Sequence, residues 1–204
     1  MKYKGIIMQQ MKTALPVFDE FLNEVEFEYV VEIGTAYGGL TQFLFEHSLV
    51  HGWDLISYDI TDKYLDRSFQ NGLDYLFNFK IGNCFDEKIK EEIIDILENN
   101  VCLLLCDGGQ KHREFNTFGK YLTKGSYIMA HDYSPDRKYF DEVRNKPLKD
   151  GGWNWFEIAD IADQQLTKRF KQKEDLKFEE VGIFKSPYWY QKFLDVAWLA
   201  AIKE

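Results

Sequence analysis

Five acidic or glycine-rich segments of this chain each follow directly on an apolar run. They are Glu32-Ile-Gly-Thr-Ala-Tyr-Gly-Gly39, Asp59, Gly82-Asn83-Cys84, Asp107-Gly108-Gly109 and His131-Asp132-Tyr133. Glycines let a backbone turn tightly and let a ligand or a following helix approach it closely. Carboxylates accept hydrogen bonds from sugar hydroxyls or bind a cation; oxygen ligands suit Mg²⁺, while an imidazole tilts preference towards a transition ion. His131 is also a candidate general base, because histidine exchanges its proton close to working pH. The glycine segment is not a dinucleotide fingerprint, since Ala36 stands where G-x-G-x-x-G wants its middle glycine. Nor is it a P-loop, since no Gly-Lys-Ser/Thr follows. Both gaps speak against a pyrophosphate ligand. Asp59, twenty-six residues beyond Ile33, is placed to accept hydrogen bonds from ribose hydroxyls. Taken singly, each of these residues reads equally well as a turn residue or a helix cap.

Residues so far apart in sequence can meet only if a scaffold brings five strand ends to one edge, and the apolar spacing provides one. Leu15, Phe18, Phe21, Leu22 and Val25 predict a lead helix over 12–26. Buried strands are predicted over Glu28–Ile33, Leu55–Asp59, Phe79–Asn83, Val101–Cys106 and Ser126–Ala130. Helical spacing recurs at Leu40–His47, Ile89–Leu97 and Phe115–Leu122, with Asn99-Asn100 and Gly125 as stops. Strands that alternate with helices and read as continuous apolar runs indicate an α/β fold, its parallel sheet covered on both faces. Ligands of such sheets bind outside the carboxyl ends of the strands, where the strand order reverses. Phe178–Phe184 and Val196–Ile202 read as two more strands, parted by a loop with Pro187-Tyr-Trp-Tyr190. So short a connection suits an antiparallel pair. The loop is also a candidate subunit contact, compatible with a homodimer. The whole chain, 1–204, reads as one domain: lead helix 12–26, core 27–135, insertion 136–176 and closing strand pair 177–204.

Composition narrows the function. The chain of 204 residues is 45% hydrophobic and carries a formal charge of −9, so it has material for a full core. An acidic chain is repelled by a phosphate backbone, and Arg137 to Lys177, with ten basic residues against eight acidic, offers no strong basic face. A nucleic-acid partner is therefore not expected. Cys84, Cys102 and Cys106 are odd in number and lack paired spacing, which argues for a reducing compartment. No segment approaches the ~18 apolar residues of a membrane helix. Met1–Met8 has too short an apolar stretch for a signal peptide. A cytoplasmic location away from membranes is the expectation.

The order and spacing of these motifs over residues 28–133 resemble the class I S-adenosylmethionine-dependent methyltransferases. The turn without its middle glycine looks most like the small-molecule O-methyltransferases of the catechol, macrocin and cephalosporin-hydroxylase-like group. The resemblance implies a Rossmann-like, doubly wound, mostly parallel seven-stranded sheet with an antiparallel C-terminal hairpin. It implies S-adenosyl-L-methionine as cofactor and a small-molecule acceptor, a sugar or polyphenol, methylated on oxygen. Glu32 and the turn at Gly34, Thr35, Tyr37 and Gly38 would hold the methionine end. Asp59 would bind the ribose, Asn83 and Cys84 would flank the adenine, and Asp107 would face the transferred methyl. Asn83 departs from the family's usual Asp, a change that keeps a hydrogen-bonding group.

The same resemblance frames the metal and the base. Its metal-dependent branch ends strand four in Asp and strand five in an acidic pair. Asp107 fits the first role, and His131-Asp132 stands at the second, so Asp107, His131 and Asp132 are the candidate ligands of Mg²⁺ or another divalent ion. Related enzymes carry a Lys or His base three residues after the strand-four Asp. Here that position is Gln110, which takes no proton, and Lys111 and His112 follow directly. Catalytic candidates are thus Asp107, His131, Lys111 and His112, the latter two reading equally as solvated residues on a helix's first turn. The insertion holds Gly151-Gly-Trp-Asn-Trp-Phe-Glu157, and in this fold such an insertion commonly forms part of the acceptor pocket. Trp153 and Trp155 suit a flat or sugar-like acceptor by stacking, or form a plain packing cluster. The rival reading from another class is an S-adenosylmethionine-binding regulatory module without turnover.

Overall fold

The computed structural model describes residues 1–66, 78–133, 135 and 178–204. The chain opens with a small antiparallel hairpin that the sequence reading did not foresee, β1 (Lys2–Tyr3) and β2 (Ile6–Ile7). Its two turn residues, Lys4 and Gly5, both have positive φ (46° and 93°), as a two-residue turn matched to strand twist requires. Helix α1 (Ala14–Glu24) follows and buries Ala14, Phe18, Phe21 and Leu22, the face its spacing predicted. Then come β3 (Tyr29–Ile33), α2 (Gly39–His51), β4 (Asp54–Asp59), β5 (Asn78–Ile81), α3 (Glu87–Asn99) and β6 (Cys102–Cys106). Helix α4 (Lys111–Phe118) runs into a 3₁₀ turn at Gly119–Tyr121, and β7 (Tyr127–His131) follows.

The C-terminal part departs from expectation. Phe178–Phe184 is not one strand but a helical turn, α5 (Phe178–Val181), and a short strand, β8 (Ile183–Lys185). Gly182, at φ 66°, separates the two. Pro187–Tyr190 is not a loop: it opens helix α6 (Pro187–Leu194). Proline presets φ for a helix's first residue, and Trp189, Phe193 and Leu194 supply a buried stripe at helical spacing. Trp189 and Phe193 lie in the core, while Tyr188 is exposed. Strand β9 (Trp198–Lys203) closes the described chain. The insertion 136–176, with Gly151–Glu157, lies outside the described residues.

The strands form a seven-stranded sheet in the order β5-β4-β3-β6-β7-β9-β8. The pairs from β5 to β7 are parallel, whereas β9 is antiparallel to both β7 and β8. The expected fold class is therefore the observed one. Alternate residues of each strand feed two cores. Val30, Leu55, Leu103, Leu105 and Met129 pack with α1, α2 and α6 on one face. Val31, Ile56, Leu104, Cys106 and Ile128 pack with α3 and α4 on the other. All three cysteines are buried, free thiols. Among the described residues, no helix is long and apolar enough to cross a membrane. Strand order reverses between β3 and β6, so Gly34 and Asp107 emerge side by side at the carboxyl edge of the sheet.

Candidate active site

At this reversal the backbones touch. Gly34 has φ 102°, and a Cβ there would stand 2.5 Å from the Asp107 carbonyl oxygen, so only glycine fits. Gly39 is needed for a reason the sequence did not show. Its missing side chain admits the N-terminal hairpin, since a Cβ would meet the Ile7 carbonyl at 2.4 Å, and the residue also lines the second cavity described below. Gly38, at φ 87°, caps α2 and lines neither cavity described below.

Two contiguous cavities of about 380 Å³ each open on either side of Gly34 and Asp107, which line both. The first is walled by Asp59, Asn83, Cys84, Phe85, Ile60 and Tyr64, from the ends of β4 and β5 and their loops. Asp59 Oδ2 accepts a hydrogen bond from the Ala36 backbone N–H at 2.8 Å and Oδ1 one from Thr61 at 3.2 Å. Each oxygen keeps a lone pair towards the cavity. Ile60 and Tyr64, 73% and 50% exposed, form with Phe85 the apolar part of this wall. Asn83 folds its Oδ1 onto the Phe85 N–H, while burial pushes the Cys84 thiol up to about 12, making it a wall and not a nucleophile.

The second cavity is walled by Met8, Gln10, Thr35, Tyr37, Lys111, His131 and Asp132 among others. A closed ring of contacts sets its floor. The indole N–H of Trp198 donates to Gln10 Oε1 at 2.9 Å, and Gln10 Nε2 donates to Asp107 Oδ2 at 2.9 Å. Asp107 Oδ1 lies 2.8 Å from His131 Nδ1, and the imidazole stacks on Trp198 with centroids 4.7 Å apart. With Nδ1 facing a carboxylate, the neutral imidazole carries its proton there and offers Nε2 as acceptor. Lys111 Nζ is anchored on the Gly108 carbonyl at 2.8 Å and stands 3.6 Å from Asp107 Oδ1 and 3.5 Å from Asp132 Oδ2. Glu114 holds that loop by accepting from the Gly108 and Gln110 N–H groups, and burial raises its carboxyl to about 7.

Backbone strain gathers here. Four non-glycine residues have positive φ among the described residues, and three of them, Ala36 (49°), Asp132 (65°) and Ala197 (70°), line the second cavity. Such conformations persist only where the surroundings over-determine them, and they concentrate at functional sites. Ala36, which stands where the fingerprint has its middle glycine, has a positive φ of 49°.

The expected site residues are thus mostly assembled. Gly34, Thr35, Tyr37, Asp59, Asn83, Cys84, Asp107, Lys111, His131 and Asp132 line one or both cavities. Glu32 does not line either. It is fully buried, its Oε2 accepting from Thr41 and Ser57 hydroxyls at 2.6 Å, and its Oε1 has no partner among the described residues. Burial raises its carboxyl to about 7. His112 is also absent from both linings. Sequence reasoning missed Gln10, Trp198 and Glu114. The one available signal was Gln9-Gln10, a polar pair between methionines ahead of an apolar helix. Among the described residues, no three His, Cys, Asp or Glu side chains form a metal-ligand cluster.

The solved structures similar to this chain share its fold. CmcI, in a structure with Mg and S-adenosylmethionine, is 13% identical over 100% of this chain and 76% of its own, with a TM-score of 0.64. A Staphylococcus aureus protein named for caffeoyl-CoA O-methylation is 12% identical over 98% of this chain and 87% of its own, TM-score 0.62. The Podospora anserina methyltransferase PaMTH1, bound to S-adenosylhomocysteine, is 12% identical over 95% and 78%, TM-score 0.55. No curated protein sequence matches the chain. The family model of the FtsJ-like methyltransferases matches residues 8–191, a span that includes every residue of both cavities except Ile7 and Ala197, and the chain belongs to that family.

Proposed function

We propose that this methyltransferase moves a methyl group from S-adenosylmethionine to an oxygen of a small-molecule acceptor. The observation that carries the reading is Asp107 at the seam of the two cavities, one residue that borders the Asp59-lined cavity while its carboxylate bonds to an imidazole in the other. When bound, S-adenosylmethionine supplies an electrophilic methyl on a sulfonium centre. Asp59 would hold the ribose hydroxyls, and Ile60, Tyr64 and Phe85 the adenine. The Gly34–Thr35 turn would hold the methionine end, and Glu32 would act from beneath it. His131 takes the acceptor's hydroxyl proton at Nε2, and Asp107 holds the resulting imidazolium through Nδ1. The acceptor oxygen is thereby free to form its bond to the methyl carbon as the carbon–sulfur bond breaks. Alignment of the three atoms supplies much of the remaining acceleration.

The formal charge of −9 supports a small acceptor over a nucleic acid, and three buried, unpaired thiols support a cytoplasmic location. Calorimetric titration with S-adenosylhomocysteine tests the cofactor, and turnover of S-adenosylmethionine over a panel of sugars and phenols tests the transfer. Binding in the micromolar range with turnover sensitive to His131→Asn is expected. No binding would overturn the proposal, and binding without turnover on any acceptor would favour a regulatory module.

A further inference from the structure

We propose that the Lys111 ammonium occupies the cation position among Asp107, His131 and Asp132, so that this chain carries an internal cation where a divalent metal would otherwise sit. For what the position serves, the inference rests on the methyl-transfer reading; for its occupant, it rests on geometry. The three side chains expected as metal ligands stand near one another without forming a metal-ligand cluster. His131 Nδ1 lies 2.8 Å from Asp107 Oδ1 and 3.7 Å from Asp132 Oδ1. The groups facing them are already matched to protein partners. Asp107 Oδ2 takes the Gln10 amide, Asp107 Oδ1 takes the imidazole, and Lys111 Nζ lies within 3.6 Å of both carboxylates.

The lysine is held there and does not wave through solvent. Its side chain is 15% exposed, its Nζ is fixed on the Gly108 carbonyl, and it opens helix α4 behind a loop pinned by Glu114. A Mg²⁺ ion demands about six oxygens in near-octahedral array at roughly 2.0–2.1 Å. To gain them here it would have to expel the ammonium or bear a like charge a few ångströms away. The sequence supplies the reason for the exchange. Lys111 stands four residues beyond Asp107 as the first residue of helix α4, and its Nζ reaches back to the Gly108 carbonyl and towards the carboxylate it follows.

The test uses the full chain and Mn²⁺ as probe, with bound and free ion distinguished by electron paramagnetic resonance. Lys111→Met keeps the apolar stem and removes the charge; Lys111→Arg restores a charge at the same place. The Met variant is expected to bind one Mn²⁺ at least about tenfold more tightly than the unchanged protein. Its unfolding temperature should rise with added Mn²⁺, as binding to the native state alone requires. The unchanged protein and the Arg variant should show neither response, and EDTA should leave methyl transfer by the unchanged protein intact. One equivalent of Mn²⁺ on the unchanged protein, lost in Asp132→Asn, would overturn the proposal. So would equal affinity, or equal absence of binding, in the unchanged and Met forms. Should the Met variant fail to fold, the EDTA arm and the Asp132→Asn arm decide alone. Failure to bind S-adenosylhomocysteine would sink the underlying methyl-transfer reading and leaves the Mn²⁺ result to be judged by itself.

Discussion

The two cavities that meet at Gly34 and Asp107 have the same volume and are built in opposite ways. The wall of the first comes almost wholly from residues 33–114, each placed by the strand it follows, with Gln9 alone reaching in from elsewhere. The wall of the second adds Ile7–Met11 and Ala197 to the Gly34–Tyr37 turn, the start of α2, Asp107, Lys111, His131 and Asp132. Gln10 lies 97 residues from Asp107 and 188 from Trp198, yet it bonds to both. The difference teaches a division of labour. The first cavity is laid down by local strand-end chemistry, whereas the second is held in shape by contacts that close over nearly the whole chain.

Substitutions at the seam and on either side break or sharpen that contrast. The largest effect is expected at the shared residue: Asp107→Asn should lower the methyl-transfer rate about a hundredfold or more, because the imidazolium loses its counter-charge. Affinity for S-adenosylhomocysteine, read by calorimetry, should fall far less; an equal loss of both would erase the distinction between the cavities. Asp59→Ala should do the reverse. Losing charge-assisted hydrogen bonds worth about 1.5–3 kcal/mol should weaken cofactor binding at least tenfold while leaving the rate at saturation near its starting value.

Gln10→Leu tests the long-range ring. The Trp198 indole N–H would be left buried without its acceptor, at a cost of about 1–3 kcal/mol in thermal or urea unfolding. A fall in kcat of about tenfold is expected, at unchanged cofactor affinity, since Asp107 loses one of its two orienting bonds. A drop in stability with kcat intact would mean that the ring merely holds the fold together.

The smallest effect concerns pH. Burial raises the Glu32 carboxyl to about 7 from an ordinary 4.5, with the charges of Asp107 and Asp59 adding to the rise. Because the folded state favours the protonated form, this contribution to stability is complete below the ordinary value. It declines as pH climbs towards about 7. Glu114 acts in the same direction. Glu32→Gln should therefore flatten the fall in unfolding temperature between acid and neutral buffer by part of its extent, and an unaltered slope would refute the assignment.

How much of this was legible in the sequence follows the same line of division. Gly34, Asp59 and Asp107 could be read because a residue that follows an apolar run in a parallel sheet has its position fixed by that run. Gly39 was legible as a glycine but not in its purpose, since the Ile7 carbonyl that crowds it belongs to a hairpin of two-residue strands too short to show alternation. Pro187 misled in the other direction. Read as a loop marker, it is the first residue of a helix whose apolar spacing extends past the aromatic cluster to Leu194. Gln10 and Trp198 were beyond reach, because nothing in either neighbourhood announces a partner at the other end of the chain. Lys111 is legible as a candidate base, whereas its two carboxylate neighbours, Asp107 and Asp132, are brought to it only by the fold.

The closing of the ring over 188 residues also orders events in time. Contacts of long sequence separation form late, because a long loop must be drawn shut before they return anything. As a ribosome delivers this chain from its first residue, strands β3 to β7 and the Asp59 side can take shape while Trp198 is still unmade. Strand β9 pairs with β7 on one side and carries β8 on the other, and its docking brings the indole to Gln10. A half-made enzyme of this kind would be able to hold a nucleoside before it could use one, so its birth as a catalyst waits for its last strand.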